Sequence, residues 1–215
     1  MIRLVEEPEM PASYLRDAFA GPDLPAQLRW HCEPGRWALL PAEQALRIEP
    51  DAHTDFWRKT HYGFEFDNGH FLYADVAGDF VLTAHVRFRP VHQYDQAGLM
   101  VRLSPTGWLK TSVEHEPDGP SRLGAVVTGH GYSDWSTQAF PPSPGEVWLR
   151  VRREGDNYFV ESSRDGRAWE QLRLAHLQEG PAGVAVACGV YACSPKGAGF
   201  VAEFRHLSID TGRLK

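Results

Sequence analysis

Apolar and polar side chains alternate with a period of two in several runs of this sequence. In FVLTAHVRFRP (residues 80–90), the even-numbered residues from Phe80 to Phe88 are all apolar, and in QAGLMVRLS (96–104) the odd-numbered residues from Ala97 to Leu103 are apolar. This period is typical of strands with one buried face. Turn-forming clusters such as PTG, EPDGP, PPSPG, EGDN and SRDGR separate the runs. Many short strands with regular turns predict an all-β sandwich of two antiparallel sheets.

The chain is long enough for one sizeable core. It has 215 residues, of which 42% are hydrophobic, and all-β sandwiches of this size commonly form one domain. We therefore predict a single β-sandwich domain over residues 26–215. Residues 1–25 form an N-terminal lead-in, in which SYLRDAFAG is compatible with one short helix that ends at Gly21-Pro22.

Charge and composition exclude several classes of partner. The net charge is −6 and the Lys and Arg residues are scattered, so we predict no nucleic-acid binding. No stretch approaches 18 apolar residues, which predicts no membrane span. The segment MIRLVEEPEMP has acidic residues where a signal peptide needs an apolar run. Three cysteines, Cys32, Cys188 and Cys193, suit a reducing compartment better than a disulfide framework, so we expect the cytoplasm.

The stretch GWLKTSVEHEPDG (107–119) predicts a strand with a chemically rich outer face. Its even positions, which point away from the core, are Trp108, Lys110, Ser112, Glu114 and Glu116. The preceding run adds Gln96 and Arg102 to this face, and a later run adds Trp148, Arg150 and Arg152 if it belongs to the same sheet. Aromatic rings beside cations and carboxylates can stack on a sugar ring and hydrogen-bond its hydroxyls. A solvated outer face without a ligand is the alternative.

Glu114 and Glu116 are candidates for a catalytic carboxylate pair. Residues i and i+2 of a strand lie roughly 6.5–7 Å apart, and the carboxyl groups of inverting glycosidases lie about 6.5–9.5 Å apart. However, Glu116 adjoins Pro117-Asp118-Gly119, where the strand must already turn. A nearby Lys110 would also lower the pKa of Glu114, which disfavours a general acid. The catalytic residues are therefore unknown, with Glu114 as the best candidate.

Two loop segments add candidate ligand contacts. GHGYSDWST (129–137) can present Trp135 as a stacking platform and Asp134 as a hydroxyl acceptor, because loops on a rigid scaffold commonly carry function. PDAHTDFWRKTHYG (50–63) contributes Trp57 and His61 as rim contacts. Its Asp-x-His-x-Asp pattern has no partner spacing elsewhere that completes a metal site. We predict no metal and no cofactor.

Four segments carry a resemblance to a known family: QYDQAGLMVRLSPTGWLKTSVEHE, VVTGHGYSDWS, SSRDGRAWEQLRL and VYACSPKGAGFVAEF. From about Leu28 to Ile209 the chain resembles an uncharacterised concanavalin A-like lectin/glucanase family that carries the label "regulation of enolase"-like. The resemblance implies a jelly-roll sandwich with a concave sheet, and no established reaction. Laminarinase-type hydrolases of the same fold carry Glu-x-Asp-x-(x)-Glu on the catalytic strand. Here Ser112 stands near the place of the central Asp, which argues against that activity.

The sequence thus predicts a β-sandwich whose concave face binds a small carbohydrate-like ligand. Two alternatives remain open: a glycan-active hydrolase or lyase that uses Glu114 with a partner carboxylate, and a protein-interaction module that regulates a metabolic enzyme. The predicted ligand contacts are Trp57, His61, Gln96, Arg102, Trp108, Lys110, Glu114, Asp134 and Trp135.

Overall fold

The computed structural model describes residues 12–141, 145–178 and 183–212. Within these ranges the regular elements are strands, apart from one 3₁₀ turn at Pro41–Glu43. The strands are β1 (Ala12–Leu15), β2 (Arg29–His31), β3 (Arg36–Leu40), β4 (Ala45–Glu49), β5 (Phe56–Arg58), β6 (Glu65–Asp67), β7 (His70–Val76), β8 (Phe80–Arg89), β9 (Gln96–Ser104), β10 (Gly107–Glu114), β11 (Ser121–Gly129), β12 (Tyr132–Phe140), β13 (Glu146–Glu154), β14 (Asn157–Ser163), β15 (Glu170–His176), β16 (Val186–Cys193) and β17 (Val201–Thr211). In the described part of the chain, no helix has the length and apolar character needed to cross a membrane.

Two antiparallel sheets pack face to face, which confirms the predicted all-β sandwich class. The eight-stranded sheet has the order β15-β14-β13-β8-β17-β4-β3, with β1 added beside β17. The seven-stranded sheet has the order β12-β11-β10-β9-β16-β7-β2. A separate hairpin is made of β5 and β6. Neighbours such as β9 and β16 are far apart in the chain, so long-range pairing decides the topology.

The main core lies between the two sheets. The even-numbered residues of β8 from Phe80 to Phe88 are buried, and they meet Leu99, Val101 and Leu109 of the opposite sheet in one apolar cluster. The alternation therefore predicted correctly which faces of β8, β9 and β13 point inward, since Leu149 and Val151 are also buried there.

A second apolar cluster covers the outer face of the seven-stranded sheet. Phe56 and Trp57 from the β5–β6 hairpin pack on Met100, Trp108 and Tyr191 of that sheet. With the main core on the other face, all eight residues of β10 are buried. The solvated outer face that was the alternative prediction is wrong for Gln96, Met100 and the even-numbered residues of β10, which are all buried, with the hairpin packed on Met100 and Trp108.

The strand β13 belongs to the other sheet, between β8 and β14. Trp148, Arg150 and Arg152 therefore lie on the outer face of the eight-stranded sheet, on the far side of the sandwich from β10. They do not join the predicted ligand face, because that prediction required β13 to lie in the same sheet as β10. Ring stacking of Trp148 on His85, with centroids 4.6 Å apart, and ion pairs of Arg150 and Arg152 with Glu161 occupy them there.

The predicted N-terminal helix is replaced by a strand. Ala12–Leu15 forms β1 and pairs with β17, and residues 17–20 then form a turn rather than a helix. Leu15, Ala18 and Phe19 are buried in the main core. Short helices are marginal on their own, so backbone pairing with β17 and burial of these side chains outweigh the local preference. Residues 1–11 of the predicted lead-in lie outside the described residues.

Candidate functional site

A cavity of about 290 Å³ opens on the outer face of the seven-stranded sheet. Buried Gln96, Lys110 and Glu114 form its floor. One wall comes from the β5–β6 hairpin, and the opposite side comes from the loops before β9 and after β16. The remaining lining residues are His53, Asp55, Trp57, Tyr62, Phe64, Phe66, Tyr94, Trp135, Pro195 and Lys196.

The register of β9 and β10 brings the floor residues together. Glu114 lies directly opposite Gln96 in the antiparallel ladder, and Lys110 lies four residues before Glu114 on the same face. Trp135 reaches the cavity from β12, which is separated from β10 by β11, so it lies on a strand and not in the predicted loop. The residue types are thus positioned by ordinary sheet geometry, and the hairpin then encloses them.

Lys110 is the central buried cation of the site. Its Nζ donates to Oε1 of Gln96 at 2.8 Å and lies 3.3 Å from Oδ1 of Asp55. The Tyr191 hydroxyl donates to the same Gln96 oxygen at 2.9 Å. Burial by itself lowers the pKa of Lys110, but the carboxylates of Asp55 and Glu114 outweigh it, so the pKa is raised overall. A raised pKa favours the protonated form of Lys110, which disfavours a role as an amine nucleophile.

Glu114 is also buried, but unlike Lys110 its side chain changes its protonation near neutral pH. Burial raises its pKa to about 7, although Lys110 acts in the opposite direction. Of the hydrogen bonds and ion pairs among the described residues, none ends on its carboxyl oxygens. A carboxyl group that loses its proton near neutral pH can serve as a hydrogen-bond acceptor, a hydrogen-bond donor or a general acid.

Two residues that line the cavity have an unusual backbone. His53 and Tyr94 adopt positive φ angles of 63° and 69°, which cost energy for residues other than glycine. The loop that carries Tyr94 is fixed by Asp95, whose Oδ2 accepts from the backbone N–H of His92 at 2.7 Å and whose Oδ1 accepts from the Ser194 hydroxyl at 2.5 Å. Strained residues held by a rigid network are often found at binding sites.

Five of the nine predicted contacts line the cavity: Trp57, Gln96, Lys110, Glu114 and Trp135. Trp108 does not. It is completely buried, and the ring of Phe56 lies edge-on at a centroid distance of 6.2 Å. Its predicted role as a stacking platform is wrong, because no part of the ring is accessible to a sugar.

Three further predicted contacts lie outside the cavity. Arg102 forms an ion pair with Asp67 at 2.6 Å and so holds the hairpin. Asp134 is largely exposed and pairs with Arg173 at 3.0 Å. His61 packs its ring against Tyr62, with centroids 4.7 Å apart, and does not line the cavity.

The structure replaces one member of the predicted carboxylate pair, Glu116. β10 ends at Glu114, and Glu116 accepts a hydrogen bond from the Gln93 amide at 2.9 Å outside the cavity lining. The second carboxylate of the cavity is instead Asp55, which directly precedes β5.

Sequence reasoning missed most of the aromatic wall. Tyr62, Phe64 and Phe66 alternate along YGFEF, with ring centroids 5.3 Å apart between neighbours. This period-two aromatic pattern was the available signal. Tyr94, Pro195 and Lys196 carried no comparable signal, since only the fold brings their loops together. Among the described residues, no group of three or more His, Cys, Asp or Glu side chains is placed to hold a metal ion.

A named yeast protein and a yeast crystal structure are similar to most of the chain. The Saccharomyces cerevisiae protein named "Regulation of enolase protein 1" is 38% identical over 166 residues, which cover 76% of this chain and 80% of the relative. The crystal structure of a functionally unknown protein from Saccharomyces cerevisiae has 35% identity and a TM-score of 0.79, and covers 88% of this chain and 98% of that one.

A glycoside hydrolase structure shares the fold. A mutant of the GH43 protein BlXynB from Bacillus licheniformis has a TM-score of 0.72 at 16% identity, over 92% of this chain but 39% of that protein. At this identity the likeness shows the fold alone. The family described as "Protein of unknown function (DUF1349)" matches residues 30–211. This match and the yeast relative confirm the resemblance, and the chain belongs to the DUF1349 family.

Proposed function

We propose that the cavity on the seven-stranded sheet binds a small carbohydrate. The observation that carries the proposal is the combination of partly exposed aromatic rings with the unpaired, buried carboxyl group of Glu114. Sugars present apolar C–H faces that stack on aromatic rings and hydroxyls that donate to carboxylates. Trp135 and Tyr62 would supply ring contacts, and Glu114 and Asp55 would accept from hydroxyls.

The size of the cavity favours a small ligand. Its volume of about 290 Å³ lies at the lower end of the ~300–1,000 Å³ that is usual for ligand sites. One sugar ring, or the end of a short chain, fits this space better than a long polysaccharide.

A direct binding experiment tests this proposal. Saturation-transfer NMR and calorimetry with a panel of mono- and disaccharides should detect at least one ligand. Trp135→Ala should weaken the binding of that ligand about tenfold, since an aromatic contact contributes roughly 1 kcal/mol. Tyr132→Ala is the matched control, because Tyr132 is an exposed ring on the same strand outside the cavity lining. A panel without any binder, or equal losses in both variants, would refute the proposal.

Glycan cleavage is the second candidate function. The pKa of Glu114, raised by burial to about 7, is suitable for a general acid, and Asp55 brings a second carboxylate to the same cavity. In this scheme Glu114 protonates the leaving oxygen as the glycosidic bond breaks, and Asp55 takes a proton from the water that attacks the anomeric carbon from the other face. Turnover of aryl glycosides that survives Glu114→Gln would exclude this role.

A protein partner, as an alternative, is supported by the name of the yeast relative. The Arg102, Lys110 and Arg150 side chains do not form one basic face for such a partner. Lys110 is buried, Arg102 is paired with Asp67, and Arg150 lies on the other sheet. The cytoplasmic location also stays a prediction, based on the cysteines and the N-terminal sequence.

A further inference from the structure

The polar groups at the cavity floor are mainly hydrogen-bond acceptors. Two of the three N–H donors of Lys110 point to Gln96 and Asp55. The Gln96 side chain is engaged as well, since its amide N–H donates to the carbonyl of Tyr94 at 3.2 Å. The acceptors with remaining capacity are both oxygens of Glu114 and Oδ2 of Asp55, because the hydrogen bonds of Asp55 among the described residues involve Oδ1. A ligand that donates hydrogen bonds therefore fits this floor.

The charges at the floor leave one carboxyl group unbalanced. The cation of Lys110 is matched by Asp55 at 3.3 Å. Glu114 is 8% exposed and lacks an ion-pair partner within the described residues. A buried carboxylate without a partner is costly, so a ligand cation at this position would be favoured.

The aromatic rings around the site already hold ammonium groups of the protein. The Nζ of Lys196, an exposed residue at the cavity rim, lies 5.5 Å from the ring centroid of Tyr94. The Nζ of Lys110 lies 5.7 Å from the ring centroid of Tyr191. Rings within about 6 Å attract an ammonium group through their quadrupole. Tyr94 lines the cavity and Tyr191 lies outside its lining, so the Tyr94 ring is the wall contact that is suited to a cation as well as to a sugar face.

We propose that the cavity prefers a sugar that carries a protonated amine, with the ammonium group between the Glu114 carboxyl group and the aromatic wall. This inference rests on the proposed sugar-binding function and specifies its ligand class. Uronic acids and sugar phosphates should be rejected, because their anionic groups would face Glu114 and Asp55. Two lysines among the described lining residues oppose an ammonium ligand: buried Lys110, which is paired with Asp55, and exposed Lys196 at the rim, which has no carboxylate partner in the described ion pairs.

Calorimetry on the full chain at neutral pH tests the preference. The probes are glucosamine, galactosamine and mannosamine, each with its parent hexose, together with glucuronic and galacturonic acid. At least one amino sugar should bind about tenfold more tightly than its parent, as expected for one charge pair with cation–π support. Glu114→Gln, which keeps the side-chain shape, should bring that amino sugar to within about twofold of the parent.

Lys196→Ala tests independently whether the preferred ligand is positively charged. Lys196 is exposed, so this variant should fold normally, and it should increase the ratio of amino-sugar to parent affinity. Tighter binding of the parent hexose or of a uronic acid, or a lower ratio in Lys196→Ala, would overturn the inference and leave sugar binding intact. A panel in which neither hexoses nor amino sugars bind would instead refute sugar binding, and this inference with it.

Discussion

The ammonium group of Lys110 on β10 lies 3.3 Å from the carboxylate of Asp55, which precedes β5 in the hairpin above the sheet. A second ion pair joins Arg102 of β9 to Asp67 at the end of β6, at 2.6 Å. Phe56 and Asp67 are opposite each other in the hairpin, so the two pairs hold the base of the hairpin from both sides. The aromatic turn that contains Tyr62 projects from this fixed base over the cavity.

Loss of the Lys110 cation should destabilise the protein. Lys110→Met leaves Asp55 partly buried without its partner, and we expect a loss of about 2–3 kcal/mol in the free energy of unfolding, at or below the lower end of values for broken buried pairs. Adding Asp55→Asn should recover part of the loss, with a coupling energy of about 1–2 kcal/mol. Urea denaturation measures both.

The exposed pair of Arg173 and Asp134 is the control for Lys110. Asp134 is 70% exposed, and Arg173→Ala should therefore cost less than about 1 kcal/mol. Strict additivity of the Lys110 and Asp55 substitutions would contradict the structural role of this ion pair.

Glu114 should make the stability depend on pH. Because burial raises its pKa in the folded state to about 7, the folded protein binds this proton more tightly than the unfolded chain. The wild type should lose stability as the pH rises from about 5 to about 8, whereas Glu114→Gln lacks this loss. The variant should gain about 3 kcal/mol relative to the wild type at about pH 8 and little at about pH 4. Urea unfolding of both proteins across this range measures the difference in their free energies of unfolding. A difference that does not change with pH would contradict the raised pKa of Glu114.

Trp108 and Trp135 should respond differently to truncation. Trp108 is fully buried under Phe56, so Trp108→Ala should cost about 3–5 kcal/mol of stability. Trp135 is half-buried at the cavity. Trp135→Ala should therefore cost about 1 kcal/mol of stability and also weaken ligand binding. Thermal unfolding beside calorimetry separates the two effects. A stable Trp108→Ala variant that has lost only ligand binding would show that the ring is a ligand contact after all.

Gly98 should be irreplaceable for a steric reason. A Cβ at Gly98 would clash with the backbone carbonyl of Thr111 on β10, so Gly98→Ala must push the two strands that carry the cavity floor apart. We expect a loss of about 3 kcal/mol and reduced ligand affinity. Gly119→Ala is the matched control, since no atom lies within 4 Å of a Cβ there, and its effect should stay within about 0.5 kcal/mol. Chemical denaturation compares the two, and equal effects would disprove the steric argument.

Local alternation was enough to identify the strands and the inner core. It correctly assigned the buried faces of β8, β9 and β13, because a period of two directs successive side chains to opposite faces whatever the neighbours are. It also selected Gln96, Lys110 and Glu114, which share one face of adjacent strands. The sequence by itself therefore determined the fold class, the main core and the floor of the candidate site.

Only the tertiary structure decided what covers the outer face of the sheet. Alternation distinguishes two faces of a strand, but it does not show that the β5–β6 hairpin packs over one of them. That packing buries Trp108, engages Arg102 with Asp67, and supplies Asp55 as the second carboxylate. The placement of β13 in the opposite sheet likewise depends on pairing with β8 and β14. Contacts between segments far apart in the chain have no local signature, and here they turned a predicted open face into an enclosed cavity.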